Sequence, residues 1–471
     1  MQTARDAARI EKLGKPAAPI VAKGFEGNAR FNAKSEGLSD ILLTVLPQAT
    51  VPPIKEIEES NLGEQVAQGV ITALTQGLPS SPEVNEVVEE ALVFTGEDYA
   101  EARENMEKHF LQHCWSDGFP LVPATEDAVN RMLEAIEFPR NHVIGLIEPA
   151  GAQATVQKIA TNAVMAGCLP QYMPVIIAAV EAITDPKFHL RGVQTTAGMV
   201  SPLLIVSGQK LIEQLNVNDS FSTIGPGWRA NATIGRAIRL IMINLGNSWP
   251  GKNDMKTFGN PFKYITLMAE NERAYMEAWE PIRVAEGFSY EQPTISLMPA
   301  VSWQVDQITP DVITADKIVE LVARQGKVKY DRLADNWGMD NLVLLSPTAF
   351  DAIRRERRSR ADIQRMLYEA IQVPGVDFFE RREPLADVGP TPVPQWIIEK
   401  YQVDPHALVP LLLRPESIKI VVAGAPGPAM CAYIGTWGYG RAYFVTKPIR
   451  LPGNWERLLQ KYNGWKSPII R

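Results

Sequence analysis

The sequence predicts a multi-domain α/β protein, an expectation carried by three observations. The chain has 471 residues, more than one core holds at about 100 to 200 residues per domain. Amphipathic helical stretches alternate with short apolar runs bounded by glycine and proline, the rhythm of helices and strands sharing one fold. A stretch rich in proline and serine, Leu78-Pro79-Ser80-Ser81-Pro82, reads as a linker. The expected division is a half-domain at 1–77, a linker at 78–97, a central site-bearing domain at 98–290 and a C-terminal α/β domain at 291–471.

Composition narrows the function classes. Hydrophobic residues make up 45% and charged residues 21%, the balance of a folded globular chain. A net charge of −7 and a pI near 5.5 speak against nucleic-acid or anionic-membrane binding, which needs a concentrated basic face. The one basic cluster, Arg354 to Arg360, is interrupted by Glu356 and reads as a solvated helix face. No run approaches the ~18 apolar residues of a membrane span, and Met1 to Asp6 lack the apolar core of a signal peptide. The expected location is the cytoplasm. Cys114, Cys168 and Cys431 are far apart and the five histidines are scattered, so neither a disulfide framework nor a structural zinc site is expected.

The first segment reads helix, strand, turn, strand, helix. Asp6 to Leu13 has helical spacing and stops at Gly14; Ala17 to Ala22 and Ile41 to Leu46 are apolar strand candidates; Leu62 to Leu74 is amphipathic and closes at Gly77. Two short strands make a thin core, so this α/β half-domain is expected to be incomplete, its sheet completed from elsewhere. Arg9-Ile10-Glu11-Lys12-Leu13-Gly14-Lys15-Pro16, Gly24-Phe25, Asp40-Ile41-Leu42 and Val45-Leu46-Pro47 resemble the C-terminal half of the UGSC-motif (seleno)protein family. That family carries a selenocysteine- or cysteine-Gly-Ser-Cys motif shortly before this point, and no cysteine precedes Arg9 here. The resemblance implies a protein partner supplying the thiol or selenol half, in a hetero- or homo-oligomer.

Beyond the linker, Asp98 to Cys114 is helical, Thr125 caps Glu126 to Ile136, His142 to Ile147 is a strand candidate, and helices at Thr155 to Ala166 and Met173 to Ile183 flank Cys168. After Glu291, helices such as Ala315 to Arg324 and Pro347 to Arg357 alternate with apolar runs at Leu342 to Leu345 and Ile418 to Val422. Pro384 to Pro394 reads as an exposed loop.

Five constellations could carry chemistry. In Trp115-Ser116-Asp117-Gly118-Phe119-Pro120, Asp117 sits on a tight turn and serves as a base or amine ligand, or bonds only its own turn. Cys168 follows Gly167 at a helix break, where the next helix start would favour a thiolate; a buried hydrophobe is the alternative. Gln194, Thr195 and Thr196 place uncharged donors before the strand Leu203 to Gly208, as a pocket wall or an ordinary connection. The strongest is Gly225-Pro226-Gly227-Trp228-Arg229-Ala230-Asn231-Ala232-Thr233-Ile234-Gly235-Arg236, a glycine-rich loop entering an apolar helix. Helix-end amides and arginines suit an anion, with solvated arginines as the alternative, and the loop is neither a Walker loop nor a dinucleotide fingerprint. Last, the cluster Glu270, Asn271 and Glu272 after the apolar strand Tyr264 to Met268 offers a base beside an amide, or a solvated helix start. Cys431, at the end of the strand-loop Ile420 to Cys431, is a second thiol candidate, with a structural turn as the alternative.

Together, Trp115 to Thr125, Asn162 to Pro170, Gly225 to Arg236 and Ala269 to Glu272 resemble an uncharacterised bacterial family associated with UGSC-motif proteins, over about residues 98–288. The leading expectation is an enzyme, or enzyme subunit, acting on a small polar or anionic substrate by cysteine-assisted chemistry of lyase or oxidoreductase type. Cys168 would be the nucleophile or redox thiol, Glu270 or Asp117 would move protons, Arg229 and Arg236 would hold the anion, and Asn231, Thr233, Gln194, Thr195, Thr196 and Asn271 would position the substrate. One alternative is a noncatalytic or shared-site subunit whose UGSC-type partner carries the thiol. Another is a metalloenzyme using Glu270, Asp117 and His142 or His189. The residues name no cofactor.

Overall fold

A computed structural model describes residues 2–38, 40–47, 61–76, 91–264, 267–275, 277–308, 313–328, 338–379, 393–437, 442–465 and 467. Gly77, the linker sequence 78–82, the acidic stretch after it and most of the loop at 384–394 lie outside them. The chain falls into two units, Met1–His109 with Gly246–Met255, and Phe110–Leu245 with Lys256–Arg471.

In the first unit, β1 (Ile20–Ala22) and β2 (Thr44–Leu46) pair in parallel, Val21 opposite Val45. Parallel neighbours need a crossover, and the expected turn between them is instead a helix, Glu26–Ser35. Its sequence lacks a stripe of large apolar residues; it buries Ala29 and Ala33 together with Asn28 and Asn32. Helices Gln2–Lys12 and Leu62–Thr75 complete the unit. The core is small, built from Ala4, Ala7, Ala8, Ala29 and Ala33 with Val21, Leu38 and Ile41. Buried amides tie in the distant segment: Asn28 Nδ2 donates to Lys252 O, and Asn32 Nδ2 donates to Asn253 Oδ1 at 3.1 Å.

The second unit carries a hairpin of β3 (Val143–Ile147) and β4 (Ala152–Thr155), then strands β5 (Ser201–Ser207), β6 (Leu267–Ala269), β7 (Thr294–Gln307) and β8 (Asn341–Leu345). A two-strand pair of β9 (Gln372–Pro374) and β10 (Leu408–Pro410) follows, then β11 (Ile418–Val422), β12 (Met430–Thr436) and β13 (Val445–Pro448). The main sheet runs β11-β8-β12-β7-β5-β6, with β13 added to β7. It is mixed: β5 and β6 are parallel, β8 and β11 are parallel, and β7 and β12 join the pairs antiparallel. Segments 98–290 and 291–471, expected as separate domains, therefore contribute strands to one sheet, because β5 hydrogen-bonds along β7.

Side-chain alternation divides the apolar residues between two faces of the strands. Leu203, Ile205, Met268, Met298, Leu342, Leu344, Val421 and Ile434 pack together on one face. Val343, Leu345, Ile420, Val422 and Tyr433 point the other way, into a core shared with helices Ala315–Val328, Pro347–Arg355 and Arg360–Ala370. The sheet curls until its outer strands meet: Asn271 N, just past β6, donates to Val422 O at the end of β11, 2.9 Å away. The buried helix Met173–Ile183 packs on β7 and β13, and helix Arg229–Asn244 packs on helix Val156–Met165 and β6. No helix among the described residues is long and apolar enough to cross a membrane.

Candidate functional site

The glycine loop does lead directly into a helix, beginning at Arg229. The two arginines expected to hold an anion, Arg229 and Arg236, are engaged within the chain. Arg236 Nε donates to Asp117 Oδ2 at 2.7 Å and Nη2 to Asp117 Oδ1 at 2.9 Å, and Nη2 also reaches Phe119 O and Pro120 O. The anion that Arg236 grips is thus Asp117 itself, so the two residues expected to hold substrate and move a proton neutralise one another. Arg229 Nε donates to Gly167 O at 2.9 Å, and its guanidinium lies over the Trp465 ring, 4.1 Å from the centroid. Asn231 is fully buried, its Oδ1 accepting from Asn218 N and its Nδ2 donating to Thr223 O. Thr233 Oγ1 donates to Arg229 O within the helix.

Cys168 sits where the sequence places a break. Gly167, at φ +85, donates its amide to Val164 O, and Cys168 N donates to Ala163 O, the paired closure that ends a helix on a left-handed glycine. The Sγ donates to Thr233 O at 3.2 Å. Burial pushes this thiol up to about 12, against the smaller opposing effects of the Thr233 bond and of Arg229 and Arg236. The thiolate expected from the helix start is therefore replaced by a neutral buried thiol. Cys431, inside β12, is likewise pushed up to about 12 by burial and by Asp306 beside it.

The polar run before β5 is a short helix, Leu190–Thr195. Gln194 Nε2 donates to Glu148 O, Thr195 Oγ1 donates to Arg191 O, and Thr196 Oγ1 accepts from Gly198 N. The residues of the metal alternative stay apart in their contacts: His142 stacks on Phe138, His189 on Trp437, and Asp117 is held by Arg236. Among the described residues no three His, Cys, Asp or Glu side chains are grouped to hold a metal ion.

Glu270 belongs to a buried network at the ends of β5 and β6. Ser207 closes β5, and its Oγ lies 2.6 Å from Glu270 Oε2, 3.1 Å from Glu272 Oε1 and 3.0 Å from Arg283 Nη1, which donates to it. Tyr275 Oη and Ile282 N donate to Glu270 Oε1. Gly208 N and Arg283 donate to Glu272, and Arg283 Nη2 donates to Tyr290 O at 2.8 Å. Burial, then the Glu272 charge, raise Glu270 above the usual carboxylate range. Geometry agrees: Ser207 has one hydroxyl proton and two carboxylate neighbours. With a proton on Glu270, Glu270 donates to Ser207 and Ser207 donates to Glu272, and both contacts are satisfied. Asn271 is drawn away by Gly424 O, to which its Nδ2 donates at 2.8 Å. Sequence reasoning reaches Glu270 clustered with Glu272 but misses Ser207, Tyr275 and Arg283 as their partners; the available signal was a serine ending a buried strand.

A pocket of about 260 Å³ opens beside Arg229's aromatic partner, lined by Gln171, Gln214, Asn216, Glu456, Tyr462 and Trp465 among others. Its walls come from the turn Pro170–Tyr172, the carbonyl end of helix Gln209–Leu215, helix Trp455–Lys461 and the residues after it. Trp455 Nε1 donates to Gln214 Oε1 at 3.1 Å, which fixes that amide. The sequence marks none of these residues, since they are brought together from three distant segments.

No curated protein matches the chain. Residues 2–78 match the UGSC family.

Proposed function

We propose that this chain is a subunit of a shared-site enzyme: the unit built on residues 110–245 and 256–471 binds a small polar substrate, and a partner carrying a UGSC-type half-domain brings the reactive thiol or selenol. The observation that carries this reading is the state of the two thiols the sequence singles out. Cys168 and Cys431 are both buried and pushed up to about 12, whereas a nucleophilic cysteine needs a thiolate near neutral pH. The match to the UGSC family over residues 2–78 supports the identity of the partner, since that segment contains no cysteine. The small parallel pair β1 and β2, with Ile20 and Val45 each 40% exposed, supports docking there, because parallel sheets are ordinarily covered on both faces.

The test is co-expression with a protein carrying a cysteine- or selenocysteine-Gly-Ser-Cys half-domain. A stable complex containing both chains, with turnover arising only in the mixture, is the expected result. Turnover by this chain alone that is abolished by C168S or C431S, with folding intact, would overturn the reading.

A further inference from the structure

The two-stranded sheet of the first unit is covered unevenly, and its two edges are not equivalent. Register places Val21 beside Val45 on one face and Ile20 beside Thr44 on the other. Helices Gln2–Lys12 and Glu26–Ser35 lie on the Val21 face, where Ala4 and Ala29 pack against that valine. Helix Leu62–Thr75 lies on the opposite face, over β2, so close that a Cβ at Gly69 would come within 2.7 Å of Thr44 Cγ2. Ile20, on that face of β1, is left 40% exposed.

The backbone of β1 is open on the side away from β2. Thr44 N donates to Pro19 O at 3.0 Å, and the peptide groups of a strand point alternately to its two sides. Pro19 and Val21 therefore serve the ladder to β2, while the amides of Ile20 and Ala22 turn outward. Ala22 O is taken by the following turn, where it accepts from Phe25 N. Among the described residues the next strand after β2 is β3, which pairs with β4 in the second unit.

Crossover handedness decides on which side further strands belong. Parallel strands joined through a helix form right-handed units in about 98% of cases. Viewed from the face that carries helices Gln2–Lys12 and Glu26–Ser35, with the strands running upward, β2 then lies to the right of β1. A parallel strand feeding helix Gln2–Lys12 on that same face lies to the left of β1. A parallel strand reached from β2 through helix Leu62–Thr75, on the opposite face, also lies to the left, where β1 already stands, and so falls beyond β1. Both connections point to the free edge of β1, and neither to that of β2.

We propose that the UGSC-type partner docks by adding a parallel strand to the free edge of β1, taking the Ile20 and Ala22 amides into a ladder and covering the Ile20 side chain with apolar surface. The inference rests on the reading of this chain as one part of a shared-site enzyme, and it narrows the contact from the small sheet as a whole to one edge.

The experiment is hydrogen–deuterium exchange of the full chain, alone and in complex with a protein carrying a cysteine- or selenocysteine-Gly-Ser-Cys half-domain, read residue by residue by fragmentation mass spectrometry. The Ile20 and Ala22 amides should exchange freely in the chain alone and slow by roughly tenfold or more in the complex, with the Val45 amide unchanged. Ile20→Pro removes an outward donor at an edge position, where proline is tolerated, and should weaken the complex roughly tenfold, the loss of about one ladder bond. Ile20→Val keeps the amide and should bind as the parent does. If I20P fails to fold, exchange in the unsubstituted chain decides. Protection of Ile20 and Ala22 in the chain alone, protection of Val45 in place of Ile20, or full affinity of folded I20P overturns the edge assignment and leaves the partner reading standing. Protection that appears on raising the concentration of this chain by itself gives the edge to a second copy, and it overturns the assignment too. Absence of any complex overturns both.

Discussion

Arg236 and Asp117 meet across 119 residues of chain through two parallel hydrogen bonds, at 2.7 and 2.9 Å, with the Arg236 side chain 16% exposed and that of Asp117 4%. The pair fastens the turn Trp115 to Pro120 to the helix Arg229–Asn244, and the same guanidinium collects two carbonyls of that turn. A charge pair so placed behaves as a structural clamp. Removing one member leaves the other charged and nearly dry, at a cost of about 3 kcal/mol, the low end for buried pairs. Asp117→Ala is expected to lower the urea midpoint accordingly, and D117A combined with Arg236→Met should recover most of the loss. A D117A protein of unchanged stability would contradict the clamp.

The two buried thiols make a prediction about reactivity and pH. Folding raises Cys168 and Cys431 to about 12, while unfolded thiols ionise near ~8.5. Above that value the unfolded chain holds fewer protons than the native one, so stability is fully present below it and declines as pH rises toward the folded values. Iodoacetamide at pH 8 should leave both residues unmodified in the native chain and label both in urea, as read by peptide mass spectrometry. Rapid native labelling of Cys168 would show that burial does not protect it.

Glu270 and Glu272 should respond differently to the same isosteric change. Gln at 270 donates to Ser207 and accepts from Tyr275 and Ile282 N, the pattern a protonated Glu270 makes. E270Q is therefore expected to cost under ~1 kcal/mol. Since the folded Glu270 value is raised, its stabilising contribution is full below the unfolded value, ~4.3, and lost as pH rises through the folded value; E270Q should flatten that decline. E272Q removes the charge facing Arg283 in a dry site and should cost roughly 3 kcal/mol. Urea denaturation at pH 5 and pH 8 checks both, and equal losses in the two variants would refute the proton assignment.

Gly208 joins backbone and network. Its φ is +127, a Cβ there would lie 2.7 Å from Pro293 Cβ, and its amide donates to Glu272. Gly208→Ala should cost at least ~2 kcal/mol, from strain together with crowding. Gly227, at φ +106 with nothing within 4 Å, provides the contrast: G227A carries the backbone cost alone, about 1 kcal/mol. Similar midpoints for the two variants would argue that Pro293 moves freely.

Much of the local structure was legible in the sequence. The apolar run of Met173–Ile183, the Thr125 cap and the glycine stop at Gly167 each follow from a local rule, and the structure has them there. The helix Glu26–Ser35 is not legible in the sequence because its buried residues are alanines and asparagines, which leave little periodic hydrophobic signal. The sequence points to Arg236 as an anion holder and to Asp117 as a proton carrier, whereas the structure pairs them with each other. Nothing in their spacing, 119 residues apart, encodes the pairing.

The sequence by itself determined the α/β class, the cap at Thr125 and the glycine stop at Gly167, because these depend on periodicity, capping and turn chemistry within a few residues. Tertiary structure alone decided which charges cancel, which carboxylate is raised above its ordinary range and which amide oxygens are left without a donor. Those outcomes depend on burial and on hydrogen-bond partners brought together by the curled sheet and the helices packed on it, and a buried polar group takes its properties from the few atoms around it.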